Sequence, residues 1–183
     1  MTKPIFPIDF NVIRIALVRE LMAVCDLDSN HVITEEPEIQ GSPRPTRPYC
    51  SFKFIGPATK QGDDSHDNVI GTTRYNSGGV RKMTISFHFY GQSHEEAYNY
   101  MSLWQAALNT DLTISRLRTS GIAVWMVGNV ADLSVLLNTG YEGRSHMECI
   151  FGVASNMTTD SGQIDHVTVN GTINDSVEIS STI

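Results

Sequence analysis

The side chains suited to acid–base or metal chemistry are spread along the whole chain. No two of its six histidines have the helical spacing that metal ligands use on one face, and none lies beside a cysteine. A lone histidine is most often a surface or hydrogen-bonded side chain. We interpret all six in that way: His31, His66, His88, His94, His146 and His166.

An acidic segment, Asp63-Asp64-Ser65-His66-Asp67, carries oxygen atoms that a divalent cation could bind. It lacks the alternating ligands and the bidentate glutamate of an EF-hand loop. We predict a solvated acidic loop, with no metal and no other cofactor. The pair Gly78-Gly79 precedes a strand pattern rather than a helix, so a phosphate-binding loop is not predicted. The hypothesis that the chain is an enzyme or a ligand-binding protein is the least favoured. The acidic segment is the one candidate site for that hypothesis.

The charge balance argues against a protein that binds duplex DNA tightly. The chain has 13 Lys and Arg against 20 Asp and Glu, which gives a net charge of −7. Proteins that hold duplex DNA by its phosphates need a basic patch. The nearest approach to one is the pairs Arg44/Arg47 and Arg116/Arg118. DNA could pass close to such a surface without being bound tightly.

The three cysteines predict buried, reduced thiols. Cys25, Cys50 and Cys149 are far apart and lie among apolar residues, unlike a disulfide framework or a zinc site. The N-terminus leads directly into an amphipathic segment, so no secretory signal is expected. No apolar run approaches the roughly 18 residues of a membrane span, so no membrane association is predicted.

Three predicted helices carry much of the hydrophobic core. Apolar residues recur at spacings of three and four over residues 8–25, and Asp9 is placed to cap the start. Ser93-His94-Glu95-Glu96 has the capping-box pattern and predicts a second helix, which buries Trp104. A third short helix is predicted over residues 110–119, ending before Gly121.

The remaining apolar segments predict strands, and the segments rich in Pro and Gly predict loops. One segment is apolar on both faces, as in a central strand, which makes Trp125 a core residue. We expect an α+β fold, a mostly antiparallel sheet with helices packed on one face. The predicted strands are 49–55, 80–90, 122–130 and 141–154, and the predicted loops are 28–48 and 56–79.

The composition changes after Met157. Residues 1–157 predict an α+β core domain, whereas 158–183 contain no aromatic residue and two short alternating runs. Such runs can form strands but cannot build a core, and an isolated hairpin is marginal in water. Such a tail either folds back on the edge of its own domain or adds to the sheet of a partner, and a disordered terminus is the simplest alternative. We predict a C-terminal arm that adds strands to a neighbouring subunit. The candidate interface residues are Ile164, Val167, Val169, Val177 and Ile179 of the arm, with Arg44 and Arg47 of the core.

Several short segments follow one another in a characteristic order. They are the first helix from Ile13 to Val24, Arg47-Pro48-Tyr49-Cys50-Ser51-Phe52-Lys53, Met83-Thr84-Ile85-Ser86-Phe87-His88-Phe89-Tyr90, Glu95-Glu96-Ala97-Tyr98, Val127-Gly128-Asn129-Val130 with Asp132-Leu133-Ser134, and Tyr141-Glu142-Gly143-Arg144. In this order the segments resemble the phage neck terminator proteins, the tail-terminator or tail-completion class of tailed bacteriophages. The tail of the chain also fits this family, through Ile164-Asp165-His166-Val167 and Gly171-Thr172-Ile173. The resemblance covers most of the chain and rests on no catalytic motif.

The resemblance implies a structural protein of the virion neck and not an enzyme. Such proteins form homo-oligomeric rings, typically hexamers, that cap the finished tail tube and join it to the head–tail connector. Their partners would be the tail tube protein, the connector or collar protein and further copies of the chain. The genome would pass through the ring without specific binding. The chain would be made in the host cytoplasm, and a head-closure or tail-tube subunit stays open as an alternative.

Overall fold

The computed structural model describes residues 7–34, 44–68, 74–137, 140–160, 168–173 and 177–182. Helices and strands in these ranges follow one another as α, β, α, β, which confirms the α+β prediction. The helices are α1 (Phe10–Cys25), α2 (His94–Ala107) and α3 (Asp111–Thr119), with one turn of 3-10 helix at Ser29–His31. The strands are β1 (Val32–Thr34), β2 (Tyr49–Asn68), β3 (Arg74–Gly91), β4 (Ile122–Val127), β5 (Ala131–Asp132), β6 (Val135–Leu137), β7 (Gly140–Asp160), β8 (Thr168–Ile173) and β9 (Val177–Thr182).

Each of the three helices begins at a polar cap, and the caps of the first two are those that the sequence predicts. The Asp9 carboxylate accepts hydrogen bonds from the first backbone N–H groups of α1. Ser93 caps α2 by accepting from the N–H of Glu96, and Thr110 caps α3 in the same way. Beyond the end of α3, Gly121 has φ of +73°, a conformation that glycine adopts without strain.

Seven strands form one sheet in the order β1-β2-β3-β7-β4, and β5 and β6 also pair with β7. Strands β2, β3 and β7 are antiparallel neighbours, and β1 joins β2 in parallel. The three helices pack on one face, where Trp104 and the alternate side chains of β2, β3 and β7 are fully buried. Strands β8 and β9 pair with each other in a separate two-stranded sheet.

Three expectations about strands are wrong. The predicted loop 28–48 contains strand β1, which pairs in parallel with β2. Much of the predicted loop 56–79 is strand, because β2 continues to Asn68 and β3 begins at Arg74. The ladder between them absorbs extra residues through two irregularities in β2, one near Gly56 and one near Gly62, where φ is about +70°. Strand β4 is not central but lies at an edge of the sheet.

Candidate functional site

The acidic segment 63–67 lies within β2 instead of forming a loop. Its central carboxylate, Asp64, accepts hydrogen bonds of 2.7 and 3.1 Å from Arg81 of β3, and Lys60 lies 3.4 Å away. The hydrogen bond from Arg81 lowers the pKa of Asp64. Asp64 therefore helps to join two strands. Among the described residues, no three His, Cys, Asp or Glu side chains are placed to hold a metal ion.

Two of the histidines meet on the sheet face opposite the helices. His88 and His146, on neighbouring strands β3 and β7, stack with ring centroids 4.6 Å apart. The Ser86 hydroxyl lies 3.2 Å from Nε2 of His88 and 3.0 Å from Nε2 of His146. Arg144 adds a contact of 3.2 Å to Nδ1 of His88. Guanidinium groups only donate, so Nδ1 of His88 is the acceptor in this contact. His88 and His146 are hydrogen-bonded side chains, as the sequence analysis predicts for them.

The cysteine prediction is confirmed, since Cys25, Cys50 and Cys149 are all free and buried. Burial raises the pKa of Cys25 to about 12 and that of Cys149 to about 11. Neither thiol is activated as a nucleophile, because the reactive species is the thiolate.

A cleft of about 380 Å³ lies between α1 and α3, where Glu20 is buried and Arg116 approaches its carboxylate at 3.7 Å. No described helix is long and apolar enough to cross a membrane.

Arg44 and Arg47, two of the predicted interface residues, both face Glu142 of β7 in their own chain. Nη2 of Arg47 lies 2.6 Å from Oε2 of Glu142, whereas Nη1 of Arg44 lies 3.6 Å from the same atom. The Glu142 side chain is 7% exposed, that of Arg47 is 28% exposed and that of Arg44 is 72% exposed. Arg47 thus holds residues 44–48 on the sheet, and Arg44 lies at the surface.

The predicted arm residues fall into two groups. Val169 lies in β8, while Val177 and Ile179 lie in β9, and Gly171 pairs with Ile179. Ile164 and Val167 lie outside the described residues. Of the two predicted alternating runs, 164–169 and 176–179, residues 168–169 lie in β8 and residues 177–179 lie in β9. The role of all five residues as contacts stays a prediction. Strand β7 continues to Asp160, three residues beyond Met157, where the predicted core domain ends.

One surface was missed by the sequence reasoning. Strands β4, β5 and β6 follow one another along β7, pairing with it between Gly140 and Val153. Trp125 was predicted to be a core residue, but its side chain is 45% exposed and its ring lies against Gly152. We call the exposed large apolar side chains along this edge the apolar margin: Trp125 (45%), Met126 (52%), Leu133 (44%), Val135 (46%), Leu136 (79%) and Tyr141 (47%).

A signal for the apolar margin was present in the sequence. Between Ile122 and Tyr141 the sole charged residue is Asp132, in a chain that is 18% charged. A long uncharged apolar run fits a buried central strand and an exposed contact surface equally well. Only the order of strands in the sheet distinguishes the two.

Residues 11–176 match the model of one known family, that of the phage neck terminator proteins. Because the match covers most of the chain, the chain belongs to the phage neck terminator protein family. It is therefore a structural protein of the phage neck, a part of the virion that contacts other neck and tail proteins. A comparison with curated proteins finds no match.

Proposed function

We propose that this chain forms a closed homo-oligomeric ring, a hexamer, that caps the tail tube and joins it to the head–tail connector. The observation that carries the proposal is the separate sheet of β8 and β9. Within the part of the chain that the structure describes, the two strands of this hairpin pair with each other and with no strand of the seven-stranded sheet. A lone two-stranded hairpin is marginal in water, so it gains most of its stability from a neighbour. Val169, Val177 and Ile179, with Ile164 and Val167 before them, would supply that contact.

The charge of the chain supports a passage for DNA. With a net charge of −7, a ring of identical copies has no general attraction for phosphates. A conduit that does not bind the genome lets it slide through. The function needs no catalysis and no cofactor. The chain would be made in the host cytoplasm and would act in the virion.

Imaging of the purified protein tests the proposal against its main alternative. A terminator should stop at discrete rings, whose mass gives the number of subunits. A tail-tube subunit should polymerise into filaments, and long filaments of the purified chain would contradict the proposal. A head-closure protein would bind isolated connectors and leave bare tail tubes uncapped, which a binding assay with the two separate structures would reveal.

The catalytic alternative is tested separately. Replacing Asp63, Asp64 and Asp67 together by Asn removes the carboxylates of the candidate cation site. We expect ring assembly to persist and metal uptake to be absent in both proteins. A metal that binds to the wild type but not to the variant would support the hypothesis of a ligand-binding protein.

A further inference from the structure

We propose that the apolar margin of one copy packs against the exposed face of α1 in the next copy, forming the repeating contact of the ring. This inference rests on the proposed ring function. It assigns the core of the subunit, rather than the arm, a specific self-association surface. A ring built head-to-tail needs two different patches on each subunit, because each contact joins unlike surfaces.

The first patch has the composition of an interface centre. Its six exposed apolar side chains lie along one edge of the sheet, and Trp125, Met126 and Tyr141 are of the types enriched in protein contacts. Asp132 is the one charged residue between Ile122 and Tyr141. Copies that each carry −7 repel one another, so their contact favours a surface that is nearly free of charge.

The second patch lies on α1. Val12 and Ile15 are 44% and 49% exposed although they belong to a helix whose other side fills the core. Val12 and Ile15 are three residues apart and Arg19 follows four residues later, so these side chains share one side of the helix. Arg19 makes no ion pair with any described residue, and its positive charge complements Asp132 on the apolar margin.

The size of the first patch explains why an arm would also be needed. The 14 residues of β7 from Gly140 to Val153 span roughly 43 Å at about 3.3 Å per residue. A strip of that length and about 10 Å wide covers roughly 400 Å², about half of the roughly 800 Å² per partner in a typical stable interface. The core contact and the proposed arm contact would together reach that size.

Two single variants test the contact from its two sides. Leu136→Asp places a charge on the apolar margin, and Ile15→Asp places one on α1; both positions are exposed, so each chain should fold. Each variant should raise the protein concentration needed for ring assembly about tenfold or more, because an unpaired carboxylate is costly to bury. Leu103→Asp is the matched control, since Leu103 is a 47% exposed helical residue on α2. It should assemble like the wild type.

Mixing the two variants tests whether the contact is head-to-tail. Leu136→Asp retains an intact α1 face, and Ile15→Asp retains an intact apolar margin. An equimolar mixture should therefore form a 1:1 complex, with one good contact, but no closed ring. If Ile15→Asp alone forms dimers while Leu136→Asp, which has the same arm, does not, the apolar margin pairs with itself and the inference is overturned. Absence of the 1:1 complex would overturn it as well.

The assembly of the wild type distinguishes a failure of this inference from a failure of the proposed function. Rings formed by the wild type and equally by both variants would overturn the core contact and leave the ring function standing. A wild type that forms only filaments or stays monomeric would contradict the ring function itself. Circular dichroism melts of each variant establish that a loss of assembly is not a loss of folding.

Discussion

Arg47 and Glu142 form the ion pair on which we expect the local stability of residues 44–48 to depend. Arg47→Ala would leave the Glu142 carboxylate, 7% exposed, with Arg44 at 3.6 Å as its remaining described cation. Removing one partner of a buried pair is strongly destabilising, so we expect a loss of about 2–4 kcal/mol in the free energy of unfolding. Urea denaturation measures this loss in the free energy of unfolding.

Arg44→Ala provides the matched control for that prediction. Its side chain is 72% exposed and lies farther from the same carboxylate. Exposed ion pairs contribute about 0–1 kcal/mol, so the loss should be small. Equal losses in the two variants would show that Arg47 does not hold Glu142 in the way the structure indicates.

Asp64 should make the stability of the β2–β3 ladder depend on pH. The hydrogen bond from Arg81 lowers its pKa below the ordinary value of 3.8. A carboxyl with a depressed pKa in the folded state stabilises the fold above its unfolded pKa, and that contribution is lost as pH falls through the folded value. Asp64→Asn should therefore unfold at lower urea concentration than the wild type at pH 7, and the gap should narrow as the pH falls below the ordinary value of 3.8.

Asp63→Asn is the control for the Asp64 experiment. Asp63 is exposed and makes no ion pair with any described residue. Its replacement should leave the urea midpoint nearly unchanged at both pH values. A gap for Asp64→Asn that persists undiminished into acid would mean that the ion pair is not its source.

At the scale of elements, the contact between α2 and β7 has no space for a side chain at one position. A Cβ atom added at Gly143 would lie 2.0 Å from the carbonyl oxygen of Ser93, at the cap of α2. The backbone would have to shift, and overpacking of this kind costs about 1–3 kcal/mol. We expect Gly143→Ala to lower the thermal midpoint by several degrees. An unchanged midpoint would mean that α2 does not pack directly on the start of β7.

The helices could be predicted because their signals are local. Asp9, Ser93 and Thr110 satisfy backbone groups of their own helix, and the apolar spacing shows which side faces the core. The far half of β2 could not be predicted, because Gly56 and Gly62 are typical of turns. There the neighbouring strand β3 supplies the hydrogen bonds that keep the chain extended.

At the scale of the whole molecule, the family was predictable from the order of short segments, while the assembly surfaces were not. Trp125 shows why. Its neighbours are apolar, and nothing local distinguishes an edge strand of a ring subunit from the middle of a sheet. The position of β4 follows from its pairing with β7, a contact that spans more than twenty residues of sequence. The strands of the arm, in contrast, were visible because alternation is local.

Removing residues 161–183 should separate folding from assembly. The cut falls after Asp160, so the pairing of β7 with β3 remains complete to Arg74. Every residue of the described core cluster precedes Ala154, and we therefore expect a thermal midpoint within a few degrees of the wild type. Ring assembly should weaken strongly, because the arm contact is gone.

A point variant checks that the arm acts through its strands rather than through its bulk. Ile179→Pro removes a backbone donor opposite Gly171 and should disrupt the β8–β9 ladder in the full-length chain. Sedimentation and electron microscopy should show folded subunits with impaired rings for both the truncated chain and Ile179→Pro. Normal rings from the truncated chain would refute the arm contact. Rings lost on truncation but retained in Ile179→Pro would instead indicate that the arm binds without its hairpin.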